Sequence, residues 1–100
     1  MYAVFRETYY APGQDAVSTA EYQEFTAAHA AQPGYRGTVV ANVGEGRYLT
    51  VTLWATAEAM AGAREALGPV VARTLDPLMT KPAVLLGTGR VVDTDLAGTE

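Results

Sequence analysis

Few side chains in this sequence can take a proton near neutral pH or steady a developing oxyanion. His29 is the only histidine, and there is no cysteine. With an unperturbed pKa of ~6.5, an imidazole is the natural side-chain base, although a lone inward histidine also serves as a hydrogen-bonded core residue. Trp54, the only tryptophan, can donate its indole N–H to a substrate oxygen or pack at the end of a strand. Arg6 alternates with Val4 and Thr8, so a guanidinium mid-strand could anchor a phenolate or carboxylate, or stand solvated. Glu7 is a weaker candidate base, because a salt link to a nearby arginine is its commoner use. Asn42 stands beside a turn and is expected to serve it. The single serine, Ser18, sits at a helix start, which removes serine nucleophiles. Gly87-Thr88-Gly89 lies in an expected strand with no helix after it, so it reads as a bulge and not a nucleotide loop.

The 100 residues are about one domain, expected over 1–93, with 94–100 a flexible acidic tail. Hydrophobic content of 49% with 18% charge is that of a globular protein. Without cysteine and with one histidine, the usual zinc and non-haem iron sites are not expected, so no metal is assigned. Seven Lys and Arg against eleven Asp and Glu leave a net charge of −4 with no basic stripe, which argues against nucleic-acid binding. No apolar run approaches the ~20 residues of a membrane span, and the first residues lack a signal pattern, so a soluble cytoplasmic domain is expected.

The elements that must position these side chains are read from periodicity and punctuation. Residues 2–10, YAVFRETYY, form a strand that stops at Ala11-Pro12-Gly13. Ser18 with Glu21 is expected to cap a helix on which Tyr22, Phe25, Thr26 and His29 share one face, ended by Gln32-Pro33-Gly34. Strands 35–43 and 47–55 follow, joined by Gly44-Glu45-Gly46 in a hairpin. Thr56 caps a second helix with Glu58 in its first turn and an inward stripe of Met60, Ala63, Leu67, Val71, Leu75 and Leu78. Gly68-Pro69 is expected to break it, with Pro69 opening a second short helix. The last strand is placed at 83–92. The order β-α-β-β-α-β is an α+β, ferredoxin-like fold: a four-stranded antiparallel sheet with helices on one side.

The strand RYLTVTLWAT poses the main structural question. Leu49, Val51, Leu53 and Ala55 lie on one side, and Tyr48, Thr50, Thr52 and Trp54 on the other. Alternation alone leaves both orientations open: aliphatic side under the helices with the threonines in water, or the reverse.

The stretch QPGYRGTVV, followed by the hairpin and LTVTLWATAEAM, resembles the antibiotic-biosynthesis monooxygenases over residues 2–92. The matching positions are Pro33, Gly34, Tyr35, Gly37, Trp54, Thr56 and Glu58. The resemblance implies a dimeric α+β barrel, a homodimer through its sheet faces with the helices outside. It also implies that the Trp-bearing face lines a ligand pocket beneath the helices. In such a pocket Tyr22, Phe25, Tyr48, Thr50, Thr52, Met60 and Leu67 would touch the substrate, with His29, Trp54 and Arg6 as catalytic candidates. Members of this kind oxidise anthrones or quinols with molecular oxygen and no cofactor.

Two departures bear on this. Anthrone-oxidising members carry an Asn four residues before the Trp and a Tyr six after it, where this chain has Thr50 and Met60. Haem-degrading relatives carry an Asn on the first strand and an iron-ligating His ten residues after the Trp, where it has Arg6 and Arg64, so haem is not expected. Three functions therefore stand: a cofactor-free monooxygenase for a small aromatic substrate, an isomerase or cyclase on the same barrel, and a non-catalytic barrel that binds a small ligand.

Overall fold

The computed structural model describes residues 1–96. Its elements run β1 (Tyr2–Tyr10), α1 (Ala20–Ala30), β2 (Tyr35–Gly44), β3 (Arg47–Trp54), α2 (Ala57–Thr74) and β4 (Met79–Arg90), with one 3₁₀ turn at Ala16–Ser18 before α1. The strands form one antiparallel sheet ordered β2-β3-β1-β4, the ferredoxin-like arrangement. Residues 94–96 carry no regular structure, and the rest of the expected acidic tail, 97–100, lies outside the described residues.

Three local expectations need correction. Ser18 does not cap α1: it belongs to the 3₁₀ turn, and its hydroxyl donates to Asp15 Oδ2 at 2.6 Å. Thr19, held extended, is the cap, and its Oγ1 accepts the Tyr22 N–H at 3.1 Å. The second helix does not break at Gly68-Pro69 but runs through to Thr74. Gly68 has no Cβ to clash with the proline ring, and both residues are exposed, so water can serve the carbonyl that Pro69 leaves unbonded. The last strand begins at Met79, not residue 83, and ends at Arg90, with Pro82 inside it. An edge strand tolerates that proline, and the pairing with β1 shifts register between Glu7 and Tyr9, where Pro82 falls. A further shift between Phe5 and Arg6 places a bulge beside Leu86, next to the glycine pair at 87 and 89.

The faces of β3 resolve as the family resemblance implies. Tyr48, Thr52 and Trp54 are buried on the helix side, Trp54 to 3% exposure. The aliphatic side has no helix over it among the described residues: Phe5 is 46% exposed, Val39 56% and Val84, paired with Glu7, 43%. Residues of the 91–96 stretch run along this open face, where Val92 and Leu96 border a groove with Phe5, Val51 and Leu53.

Helices and sheet meet in two separate cores. At one end Tyr10, Ala16, Tyr22, Tyr48 and Leu75 pack together, with Phe25 and Val71 against them. At the other Val4, Trp54, Ala63 and Leu67 do so, joined by Ala28, Tyr35 and Met60. Each helix contributes to both cores. The hairpin is tied in by the Tyr10 N–H, which donates to the Gly46 carbonyl at 2.7 Å. Gly46 has φ +80°, and a Cβ there would lie 1.9 Å from the Tyr10 carbonyl oxygen. Gly13 has a similar φ of +82° with nothing within 4 Å. Gly13→Ala is therefore expected to cost about 1 kcal/mol, the left-handed backbone term alone. Gly46→Ala is expected to cost more than about 2 kcal/mol, because backbone must also move. Urea unfolding of the two variants checks the difference.

Candidate functional site

Between the two cores the helices stand off the sheet and leave a cavity of about 950 Å³. Its floor is the middle of the two central strands. Along β1 the helix-facing residues run Val4, Arg6, Thr8, Tyr10, and along β3 they run Tyr48, Thr50, Thr52, Trp54. The outer members of each series belong to the cores. Arg6 and Thr50, register partners at the centre, do not. The roof is α1, through Tyr22, Phe25 and His29, and α2, through Met60, Arg64 and Leu67.

Every side chain expected at a site borders this one space: Arg6, Tyr22, Phe25, His29, Tyr48, Thr50, Thr52, Trp54, Met60 and Leu67. The remaining candidates are structural. Glu7 points to the open face and pairs with Arg47 across β1 and β3. Asn42 Oδ1 accepts the Gly44 N–H at 2.9 Å, serving the turn.

His29 is the centre of a ring cluster. Its centroid lies 5.0 Å from Phe25, 5.1 Å from Tyr35 and 5.5 Å from Trp54, the last two edge to face, and Tyr35 and Trp54 are themselves 5.7 Å apart. Neither imidazole nitrogen has a hydrogen-bond partner among the described residues, and neither is sealed off from the cavity. This is not the bonded core histidine that a lone inward position also allows. Beside the cluster a hydroxyl relay runs from Tyr35 to Thr38 at 3.0 Å and on to Thr52 at 3.1 Å.

Desolvation dominates the electrostatics. Burial, seconded by the Arg6 charge, pushes the His29 pKa from 6.5 down to about 4, so the ring is neutral at pH 7 and a weaker base than a free imidazole. Burial also lowers the Arg6 pKa, with Arg64 adding like-charge repulsion. Tyr22 is pushed up to about 12 by burial and then by Tyr10 and Tyr48, and burial raises Tyr10 as well, so the Tyr22 and Tyr10 phenols stay protonated donors. Among the described residues the one carboxylate on the lining is Asp15, exposed and engaged with Ser18. Among the described residues no group of three His, Asp or Glu side chains is placed to hold a metal ion.

Sequence reasoning missed Tyr35, Thr38, Tyr10 and Arg64 as parts of the site. Tyr35 and Thr38 start β2 just after the Pro-Gly turn, and only the strand pairing carries them to Trp54 and Thr52. The signal for Arg64 was available, since it follows Met60 by four residues on the same helix face.

The element order and the four-stranded antiparallel sheet are those of a known class of structure, the ferredoxin-like α+β fold that the chain shares with solved structures of antibiotic-biosynthesis monooxygenases. Among solved structures, SnoaB, a cofactor-independent oxygenase from Streptomyces nogalater, superposes with a TM-score of 0.66 at 21% identity, over 93% of each chain. A Caulobacter crescentus protein assigned by inference to the antibiotic biosynthesis monooxygenases gives 0.71 at 18% identity, covering 92% of this chain and 90% of its own. A Nitrosomonas europaea protein of unknown function gives 0.73 at 14% identity, covering 95% and 92%. Identities this low show a shared fold. The sequence matches no protein-family profile and no curated protein.

Because His29 is the only histidine, its titration can be followed without assignment. Imidazole resonances are expected to move with a midpoint near pH 4 and not near 6.5. The sign for stability follows from the same shift. The unfolded chain takes up the proton first as pH falls, so the contribution is complete above about 6.5 and is lost between there and about 4. Urea midpoints across that window should fall for the native protein and stay flatter for His29→Gln.

Proposed function

We propose that this protein is a cofactor-independent monooxygenase that oxidises a small anthrone- or quinol-like aromatic with molecular oxygen. The observation that carries this reading is the neutral, unbonded imidazole of His29, set among aromatic rings and open to a cavity large enough for a fused-ring substrate. The likeness in fold to a cofactor-independent oxygenase supports it.

In this reading an anthrone lies between the ring cluster and the sheet. His29 removes a proton from the ring methylene, and the charge spreads onto the substrate oxygen, where the Trp54 indole N–H and the Arg6 guanidinium are the available donors. The electron-rich anion passes one electron to oxygen, and the radical pair combines to a carbon-bound peroxide. That peroxide takes back the proton from His29 and eliminates water, leaving a ketone. One oxygen atom enters the product and the other leaves in water with the two methylene hydrogens. Proton removal followed by return at another carbon, without oxygen, would instead make an isomerase or cyclase. Pure ligand binding would need neither step.

The proposed assembly is a homodimer of face-to-face sheets. A second copy would cover Phe5, Val39, Val51, Leu53 and Val84, which the helices leave open. Light scattering is expected to give twice the 10.6 kDa chain mass, and Val39→Glu should shift it to the monomer.

Oxygen uptake by the purified protein, without added metal, flavin or nicotinamide, over a panel of anthrones and quinols is the direct test. Turnover above spontaneous oxidation is expected. His29→Ala should lower it by roughly 10²-fold or more, as loss of a general base does. Binding without uptake would leave the isomerase, cyclase or carrier reading standing.

A further inference from the structure

Arg6 and Arg64 are unusual among the charged residues of the chain. Arg47 is paired with Glu7 and Arg73 with Glu24, both away from the cavity lining. Arg6 and Arg64 line the cavity, and neither forms an ion pair or donates a hydrogen bond to the protein among the described residues. Arg6 is half-buried at the centre of the floor, on the strand that is hydrogen-bonded on both sides. Arg64 is exposed on α2 at the rim. A guanidinium always carries its charge and five N–H donors, and withdrawing it from water without a partner is costly. Its nitrogens are nevertheless open to the cavity and not sealed in the protein. The chain as a whole is acidic, at −4, yet this cavity has a cation on its floor and a second at its rim, and the one carboxylate lining it among the described residues, Asp15, is engaged with Ser18.

We propose that the cavity is built for an aromatic carboxylate, whose anionic group is taken up by Arg64 at the rim and Arg6 on the floor while the ring system lies against Trp54 and His29. This names the substrate class for the site and rests on the proposed reading of it as a pocket for an aromatic substrate. The geometry suits the roles. A planar fork on a rigid central strand fixes an oxyanion in direction, and a second guanidinium on the opposite wall draws the anion in and closes over it. A neutral aromatic would leave both charges unmatched, so the site discriminates by charge as well as by shape.

A second consequence links the anion to the base. The groups that face His29 are Phe25 on its own helix, Tyr35 on β2, Trp54 on β3 and Arg6 on β1. Of these only Arg6 bears a charge, and it disfavours protonation of the imidazole. An anion held on Arg6 cancels that repulsion, so a bound carboxylate should raise the proton affinity of His29.

The experiment uses anthraquinone-2-carboxylate and its neutral counterpart, anthraquinone-2-carboxamide, which cannot be further oxidised at the ring ketones. Binding is read by quenching of Trp54, and the His29 titration by NMR with and without each compound. The carboxylate is expected to bind at least tenfold more tightly than the amide and to move the His29 midpoint to higher pH. Arg64→Gln should remove most of that preference, and Arg6→Gln should remove both the preference and the shift in midpoint. Because Arg64 is exposed, its variant should fold as the native protein does, and the NMR spectrum reports this. Equal affinities for acid and amide, or a preference that survives both substitutions, would overturn the proposal. The outcomes separate from those of the oxidation test. Selective carboxylate binding without oxygen uptake on any substrate overturns oxygenation alone, and oxygen uptake with no charge preference overturns this proposal alone.

Discussion

The whole arrangement depends on the helices touching the sheet at its two ends and not in the middle. Val4 and Trp54 meet Ala63 and Leu67 at one end, and Tyr10 and Tyr48 meet Tyr22 and Leu75 at the other. Between these contacts the strand positions facing the helices are Arg6 and Thr8 on β1 and Thr50 and Thr52 on β3, which cannot be packed against aliphatic side chains without leaving polar groups unsatisfied. A helix spanning both contacts is rigid, so it cannot sag into the gap. The unbroken run of α2 through Gly68 and Pro69 therefore matters: a break there would let the roof collapse between the cores. Burial at two separated points, with polar side chains between them, is what makes a cavity and not a continuous core.

That design puts the sheet the wrong way round for a monomer. An antiparallel sheet ordinarily turns its aliphatic side to the helices and its polar side to water. Here threonines, tyrosines, an arginine and the tryptophan face the helices, and Phe5, Val39 and Val84 face outward. Nothing on the helix side can bury that second surface. The proposed pairing of two sheets answers both needs, since it would place the strongest hydrophobic burial between subunits and free the helix side for a polar, ligand-sized space.

How much of this was legible in the sequence can be judged from particular elements. The alternation in β3 and the Trp54-Thr56-Glu58 run determined the strand, the cap and the helix, because each is a local pattern with a local cause. Which way the strand faced was not local, and alternation is symmetric under that choice. Only the aromatic content of one face and a family resemblance favoured the orientation seen. The boundary errors share a cause. Ser18 and Thr19 are chemically equivalent caps, separated only by where the 3₁₀ turn falls. Pro69 and Pro82 both sit where sequence rules place breaks, and both are tolerated because of tertiary position, one on an exposed helix side and one on an edge strand. The site residues singled out were largely those that share a face with Trp54 or His29. Those missed, Tyr35 and Thr38, reach the site through pairing of β2 with β3 over long range, which no spacing rule encodes.

Under the proposed function, the placement of His29 decides what its ring can do. A histidine at this depth would ordinarily need a carboxylate to hold its tautomer, and a carboxylate would raise its pKa. This chain orients the ring by packing it between Phe25, Tyr35 and Trp54, so no anion is required. Arg6 then acts on the empty site in one direction only, against imidazolium. The same charge favours an anionic substrate once a proton has left it. In that reading Arg6 weakens His29 as a base and stabilises the oxyanion that proton transfer leaves, so its net help falls on the product side of the deprotonation. Its position on the central strand, flanked by hydrogen-bonded neighbours on both sides, lets it do so without reorganising.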